Sequence, residues 1–567
     1  MSASSSPTYV LGLSFGFHDA AAALLRDGVL VAAAQEERFS RKKQDPGFPH
    51  GAVAYCLAEA GIAPQDLSRV VYYEKPLLKF ERVLFGFLRS WPRQARAFFD
   101  AVPTWTKEKF WVAPTIRRAL GHAVPVSFCE HHVSHAASAF FASPFARAAV
   151  LTVDGIGEWA TASFGRGEGA RIGLSREIRF PHSLGLFYGA VTRFLGFEPN
   201  ADEYKVMGLA PYGTPRYAEA LRSLFDVRAD GSFGLVPGAF GETSAAADTD
   251  RALERAFRFP RRKPERPLAQ EHKDAAASLQ ALTNEAMVGA ARRVRRETGE
   301  TALCLAGGVA LNCVANTEVF HQAGFTDVWV QPAAGDAGGA LGAALWYWHQ
   351  VLGNPRGAAM DHVQYGPAFS NQDIRRVLDA HGATYEALES GEMAERVADL
   401  VARQAVVGWF QGRMEWGPRA LGNRSILADP RNKENWQRVN VKIKFRESFR
   451  PFAPAVLTER FRDWFDGPAN PFMLFTARVK EPDKLPAVTH VDGSARVQTV
   501  DRNVLPAFAE LLDAFERKTG VPVLINTSFN VRGEPIVCTP EDAWDTFQKT
   551  EMDALAIGGF LVRKQGI

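Results

Sequence analysis

Three times in this chain an apolar, β-compatible run stops at glycine: VLTVDGIGEW at 150–159, LCLAGGVALN at 303–312 and VWVQPAAGDAGGALGAA at 328–344. Residues 302–345 read as strand, glycine turn, helix, strand, glycine turn and helix. That alternation puts helices over a sheet and predicts an α/β protein. Each such turn brings backbone close to whatever sits at the strand end. Residues 8–36 add further strands, with RDG between the apolar runs AAALL and VLVAAA as a hairpin signal.

At 567 residues with 46% hydrophobic content, the chain is too long for one core and predicts two or three domains. The Gly/Pro/Asn-rich stretch LGNPRGAAMDHVQYGPAFSNQ marks the boundary. We divide the chain into 1–355, a linker at 356–372, and 373–567. Residues 79–111 are rich in aromatics and arginine and predict amphipathic helices interrupted near Pro92 and Pro103. RRKPER (261–266) and RRVRRE (292–297) read as solvated faces. With 66 basic against 63 acidic residues the net charge is only +3, which argues against a protein that coats nucleic acid and leaves room for a local phosphate pocket. Five scattered cysteines without CxxC spacing fit a reducing cytoplasm. No signal peptide or transmembrane-length apolar run is evident, so a membrane is not expected as a partner.

Histidines at i and i+4 share a helix face, and EHHVSHAASAFF presents His131 and His135 in that way. Alone, such a pair packs into a core more often than it binds a metal. Here two aspartates stand at glycine turns, Asp154 after the strand LTV and Asp336 where a small-residue helix opens. Two imidazoles and two carboxylates suit iron, manganese or zinc better than magnesium or calcium. Gly155, Gly157, Gly307 and Gly308 are candidates for presenting amides to the phosphates of a nucleotide. A different group lies after residue 405: the loops GRMEWGPRALGNRS, KFRESFRPFAP, HVDGSARVQ and NTSFN. Arginines among Gly, Pro and aromatics are poor surface material, and their forked donors suit phosphate or carboxylate. Interdomain salt bridges would account for one or two of them.

In order and over nearly the whole length, these blocks resemble the NodU/CmcH-type O-carbamoyltransferases. The resemblance implies an N-terminal actin-like (ASKHA-type) ATPase domain, related to tRNA threonylcarbamoyl-transfer proteins, followed by a YrdC-like α/β domain. It implies that carbamoyl phosphate and ATP, with Mg²⁺, give carbamoyl adenylate, whose carbamoyl group passes to a hydroxyl of a small natural-product or sugar acceptor. Carried over by motif, His131, His135, Asp154 and Asp336 would ligate a metal, with iron(II) first and manganese or zinc as alternatives. His18, in FGFHDA, would be the base for the acceptor hydroxyl. Lys444, Arg450, Arg496 and Ser528 would hold carbamoyl phosphate, with Arg419 and Arg424 as further nominees for that pocket or for ATP. Secondary metabolism, a cytoplasmic site and no nucleic-acid partner follow as expectations, and a homodimer is left open. The competing readings are a tRNA-modifying enzyme, for which the charge balance is wrong, and an actin-like regulatory module, which has no need of a second anion pocket.

Overall fold

The computed structural model describes residues 6–89, 105, 109–240, 246–447 and 449–564. The interruptions expected near Pro92 and Pro103 lie outside the described residues. The chain forms two compact units. The first is Met1–Glu36 with Gln44–Met360, and the second is Glu37–Lys43 with Asp361–Ile567. The short segment Glu37–Lys43 therefore belongs to the second unit, although a division made along the sequence places it in the first.

The first unit repeats one topology. β1 (Tyr9–Ser14), β2 (Ala21–Arg26) and β3 (Val29–Gln35) form an antiparallel meander, and β4 (Leu67–Tyr72) and β5 (Val126–Phe128) extend it in parallel, in the order β3-β2-β1-β4-β5. β6 (Arg147–Val153), β7 (Ala160–Glu168) and β8 (Arg171–Arg179) form the second meander, extended in parallel by β11 (Ala302–Ala306) and β12 (Asp327–Val330). A small hairpin, β9 (Phe225–Val227) and β10 (Phe233–Leu235), stands between them in sequence. This doubled α/β arrangement is the actin-like fold. The β2–β3 turn is the RDG hairpin, with Asp27 and Gly28 at φ 51° and 82°, as a tight primed turn requires.

The helices of this unit include α1 (His50–Ala60), α2 (Pro76–Arg89), α3 (His131–Phe140), α4 (Gln270–Thr298) and α5 (Asp336–Trp346), of which α3 and α5 carry the site. Close packing explains the small residues of α5. A Cβ on Gly342 would strike the Ser134 carbonyl of α3, one on Gly339 the Tyr73 ring, and one on Gly12 of β1 the Ala340 carbonyl. Glycine at these positions lets α5 lie directly against α3 and β1. Not every basic cluster is solvated. Arg262 is buried, and its guanidinium donates to the carbonyls of Leu195 at 2.6 Å and Arg266 at 2.5 Å. It ties the chain internally, while the other five residues of RRKPER are exposed as expected.

The second unit is built on a mixed eight-stranded sheet, ordered β13-β23-β22-β14-β15-β21-β16-β20. Its strands are β13 (Tyr385–Ala387), β14 (Val407–Phe410), β15 (Arg424–Ala428), β16 (Ala453–Leu457), β20 (Gln498–Val500), β21 (Val523–Ser528), β22 (Ala554–Ile557) and β23 (Phe560–Arg563). A small sheet of β17 (Phe465–Asp466), β18 (Ala477–Val479) and β19 (Ser494–Ala495) is separate. Alternation divides the strand residues between two cores. Trp409, Leu427, Leu457 and Leu524 enter one, and Phe410, Ile426, Val456 and Ile525 enter the other. Among the described residues no helix is long and apolar enough to cross a membrane, and all five cysteines are buried free thiols.

Candidate functional site

β6 is buried from its second residue to its end and delivers Asp154 at its C-terminus. α3 presents His131 and His135 on one face, and α5 opens with Asp336. The three elements bring one ligand atom from each of these four buried residues within 4.8 Å of one another. His131 Nε2 lies 3.1 Å from His135 Nε2 and 3.0 Å from Asp154 Oδ2. Asp336 Oδ1 is 3.7 Å from both imidazoles. Two ring nitrogens facing each other beside two carboxylates are a poor hydrogen-bonding set, because neither neutral nitrogen can donate to all its neighbours. They are a good donor set for one divalent N/O-binding cation.

The electrostatics agree. Burial alone would raise Asp154, but hydrogen bonds from His131 and His135 outweigh it and hold the carboxyl well below its usual range. Burial also opposes ionisation of Asp336, and the charges of His18 and His131 prevail, bringing it to about 2. His135 is disfavoured as a cation by burial, yet Asp154 and Asp336 raise it to about 9. Both carboxylates therefore require positive charge in this pocket, whether from protons or from a metal. His132 takes no part: burial and the neighbouring His131 lower it to about 3, and its Nδ1 pairs with Thr152 Oγ1 at 2.7 Å.

His18 lies beside the cluster, its Nε2 3.9 Å from Asp336 Oδ2 and its Nδ1 3.0 Å from Asp19 Oδ2. Burial disfavours its charge, but Asp336 and Asp19 dominate and raise its pKa to about 9. As it stands the ring keeps its proton near neutral pH. Neutralising the Asp336 carboxylate removes that attraction and returns His18 toward the range of a base.

Three of the four glycine amides expected to face phosphates are already bonded within the chain. The amides of Gly157, Gly307 and Gly308 already donate, to Ala160 O at 2.9 Å, Ala334 O at 2.9 Å and Asp154 Oδ1 at 2.7 Å. The Gly155 carbonyl accepts from Ser183 Oγ at 2.6 Å. Gly307 has φ 91°, and a Cβ there would strike the Val153 carbonyl. A Cβ on Gly157 would stand 3.0 Å from the His131 ring. Close approach at Gly157, Gly307 and Gly308 aims Asp154 and lets α3 seat.

Glu158 and Tyr73 were not foreseen from the sequence. The buried Glu158 carboxylate accepts from His131 N at 3.1 Å and Lys75 N at 2.7 Å. It thus joins the loop that carries Asp154, the start of α3 and the segment before α2. Tyr73 donates to Asp336 Oδ2 at 3.3 Å. The VDGIGEW motif contains Glu158, but nothing in one sequence distinguishes it from a surface acid. Glu158→Gln places an amide NH₂ among backbone donors and should weaken metal binding about tenfold, the scale of losing a supporting partner. Competition with a chelator measures it, and an unchanged affinity would remove Glu158 from this role.

In the second unit, Lys444 is buried against β21. Its Nζ donates to Ser528 O at 2.6 Å, Ser528 Oγ at 3.1 Å, Asn530 O at 2.8 Å and the Asn530 side-chain oxygen. Burial and the charges of Arg446, Arg450 and Lys43 push it well below the usual lysine range. Lys444 therefore holds the Ser528–Asn530 turn in place. Arg450 has its guanidinium 3.7 Å from Glu447. Arg419 and Arg496 are half-buried, on loops joined through Gln498, which donates to Leu421 O at 2.7 Å and accepts from Asn526 at 2.6 Å. The Glu415 carboxylate, also unforeseen, folds the arginine loop by accepting from Leu421 N and Asn423 N, each at 2.8 Å. Arg424 corrects the sequence reading. It is fully buried over the Phe410 ring at 3.6 Å and donates to the carbonyls of Gln411, Gly412, Asn423 and Pro367. Both terminal nitrogens of its guanidinium are thus spent on the main chain, which gives Arg424 a structural role.

Residues 9–345 match the family described as Carbamoyltransferase N-terminus, and residues 398–564 match Carbamoyltransferase C-terminus. An uncharacterised protein of Synechocystis is 48% identical, over 98% of this chain and 97% of its own. The nodulation protein NolNO of Sinorhizobium fredii is 39% identical, over 97% of this chain and 79% of its own. Among solved structures, component A of the (R)-2-hydroxyglutaryl-CoA dehydratase of Acidaminococcus fermentans is 14% identical with a TM-score of 0.31, covering 61% of this chain and 99% of that one.

Proposed function

This chain belongs to the carbamoyltransferase family and is a transferase, and we propose that it carbamoylates a hydroxyl of a small-molecule acceptor in two steps. In the first, carbamoyl phosphate, ATP with Mg²⁺, and one water give carbamoyl adenylate, phosphate and pyrophosphate. In the second, the acceptor oxygen bonds to the carbamoyl carbon, AMP leaves, and the hydroxyl proton passes to a base. The observation that carries this reading is the separation of two chemistries. The convergent His131, His135, Asp154 and Asp336 set belongs to the first unit, and the Lys444, Ser528, Arg450, Arg419 and Arg496 set to the second.

Iron(II) is the ion we assign to the four-residue set, with manganese or zinc as alternatives of the same donor preference. When bound, it would supply positive charge for the adenylate phosphate or the reacting carbonyl. The remaining work belongs to side chains. His18 stands at the edge of the cluster and takes the hydroxyl proton once its own is lost. Tyr73 and Glu158 hold the ligand-bearing elements at fixed spacing. In the second unit the Lys444-fixed turn orients Ser528 toward the donor, while the arginines meet its phosphoryl oxygens. Activation as an adenylate adds a large handle, so binding energy remote from the carbonyl can position it.

Parallel measurement of pyrophosphate and carbamoylated product, with a panel of hydroxylated acceptors and with tRNA, tests the proposal. Product on tRNA alone would overturn the acceptor class. Arg450→Ala should cut carbamoyl-phosphate-dependent pyrophosphate release by about 100-fold, as loss of a charge-assisted phosphate contact does, and Lys444→Ala should lower it by releasing the Ser528–Asn530 turn. Metal content should stay at the wild-type level. Wild-type release in both variants would remove these residues from the donor site.

A further inference from the structure

Glu37–Lys43 lies between β3 and α1 in sequence but is part of the second unit. It leaves the first unit after Glu36, whose carboxylate receives Gly51 N at 3.0 Å and Ala52 N at 2.9 Å at the start of α1. Its contacts fall on the loops that carry the anion-binding candidates. Arg41 Nη1 donates to Ile536 O at 2.7 Å and Nη2 to Pro535 O at 3.0 Å, with Nε 3.4 Å from Asp542. One residue before Pro535, the Glu534 carbonyl accepts from the Asn530 side chain at 2.7 Å. Asn530 in turn receives Lys444 and Ser528 Oγ. A continuous chain of hydrogen bonds and one peptide link thus runs from Arg41 to the Lys444 turn. On the other side the buried Arg38 donates to Gly417 O at 2.9 Å, two residues before Arg419. Arg41 itself sits at φ 58°, a left-handed conformation that a side-chain-bearing residue keeps only when its surroundings impose it.

We propose that Arg41 and Arg38 are positioning residues for a phosphoryl-anion site in the second unit, holding the 529–537 loop and the 417–419 loop in the geometry that binds the anion. This rests on the reading that the second unit takes carbamoyl phosphate or the phosphates of ATP. The two arginines are not ligands: the three guanidinium nitrogens of Arg41 and both terminal nitrogens of Arg38 face main-chain carbonyls and carboxylates. Loss of Arg41 releases two carbonyls and lets the Asn530–Lys444 contacts drift, which weakens anion binding before it affects any later step.

Arg41→Met, Arg41→Lys and Arg38→Met in the full chain test it, with the exposed Lys42→Gln as control. Arg41→Met should raise the KM for carbamoyl phosphate or for ATP in pyrophosphate release about tenfold, with kcat within about threefold. Which KM rises tells which phosphoryl group the loop faces. Arg41→Lys, with one point charge for a fork, should recover part of the loss. Amide hydrogen exchange should accelerate across 529–537 in Arg41→Met and stay unchanged in β6 and α3. A wild-type KM for both substrates, or unchanged exchange at 529–537, overturns the proposal. If the wild type releases no pyrophosphate, the donor reading fails. Calorimetric affinity for pyrophosphate then decides the positioning role: weaker binding by Arg41→Met than by wild type supports it, and equal binding overturns it.

Discussion

His131→Ala and His135→Ala are each expected to lose the bound metal and all measurable carbamoyl product. The two imidazole nitrogens stand 3.1 Å apart and share the same two carboxylates. Removing either leaves three donors around a point that four residues define. Loss of a supporting partner alone typically costs about 10–100-fold in metal affinity, and loss of a direct ligand should exceed that. Elemental analysis of purified protein reads it directly. Asp154 and Asp336 would also lose a positive neighbour in a buried setting, so each variant should unfold at lower temperature than metal-free wild type. That comparison separates the two effects. If unfolding temperature falls while metal remains at full occupancy in the double variant, these histidines are counter-charges to the aspartates and not ligands.

Much of this cluster was legible in the sequence because its signals are local. An i, i+4 histidine pair fixes a helix face, and an aspartate at a strand end beside glycine has few structural roles. The α/β pattern of residues 302–345 was legible for the same reason, since glycine turns follow its apolar strands, whereas the doubling came from the family resemblance alone. Less legible were the glycines and Arg424. A glycine permits both an exposed amide and a close contact, and sequence cannot tell which. Here Gly157 and Gly307 accommodate the His131 ring and the Val153 carbonyl, and their amides are already bonded. An arginine in a Gly-rich loop is equally ambiguous. Arg424 lies at the start of β15, and its guanidinium meets four backbone carbonyls. Glu158, Glu415 and Arg41 escaped notice because their partners are backbone atoms, up to 495 residues away for Arg41. A single sequence carries no record of such pairings.

His18→Ala is expected to separate the two chemical steps. The ring lies 3.9 Å from Asp336 and 3.0 Å from Asp19, both residues of the first unit. Adenylate formation needs phosphate contacts and an attack on the nucleotide. Transfer to an alcohol needs a proton acceptor beside the hydroxyl. Loss of a general base typically costs about 10²–10⁴-fold in the step it serves. His18→Ala should therefore lower carbamoylated product by that range while pyrophosphate release stays within a few-fold of wild type. Asp336→Asn should follow the same pattern through the disturbed four-residue cluster, even though it frees His18 from the carboxylate that raises it. His18→Ala should also keep its metal, because His18 is outside the four converging residues. Asp336→Asn should not, and this difference distinguishes a lost base from a lost ligand. If pyrophosphate release falls as far as product formation in both variants, one centre performs both steps and the division of labour between the units is wrong.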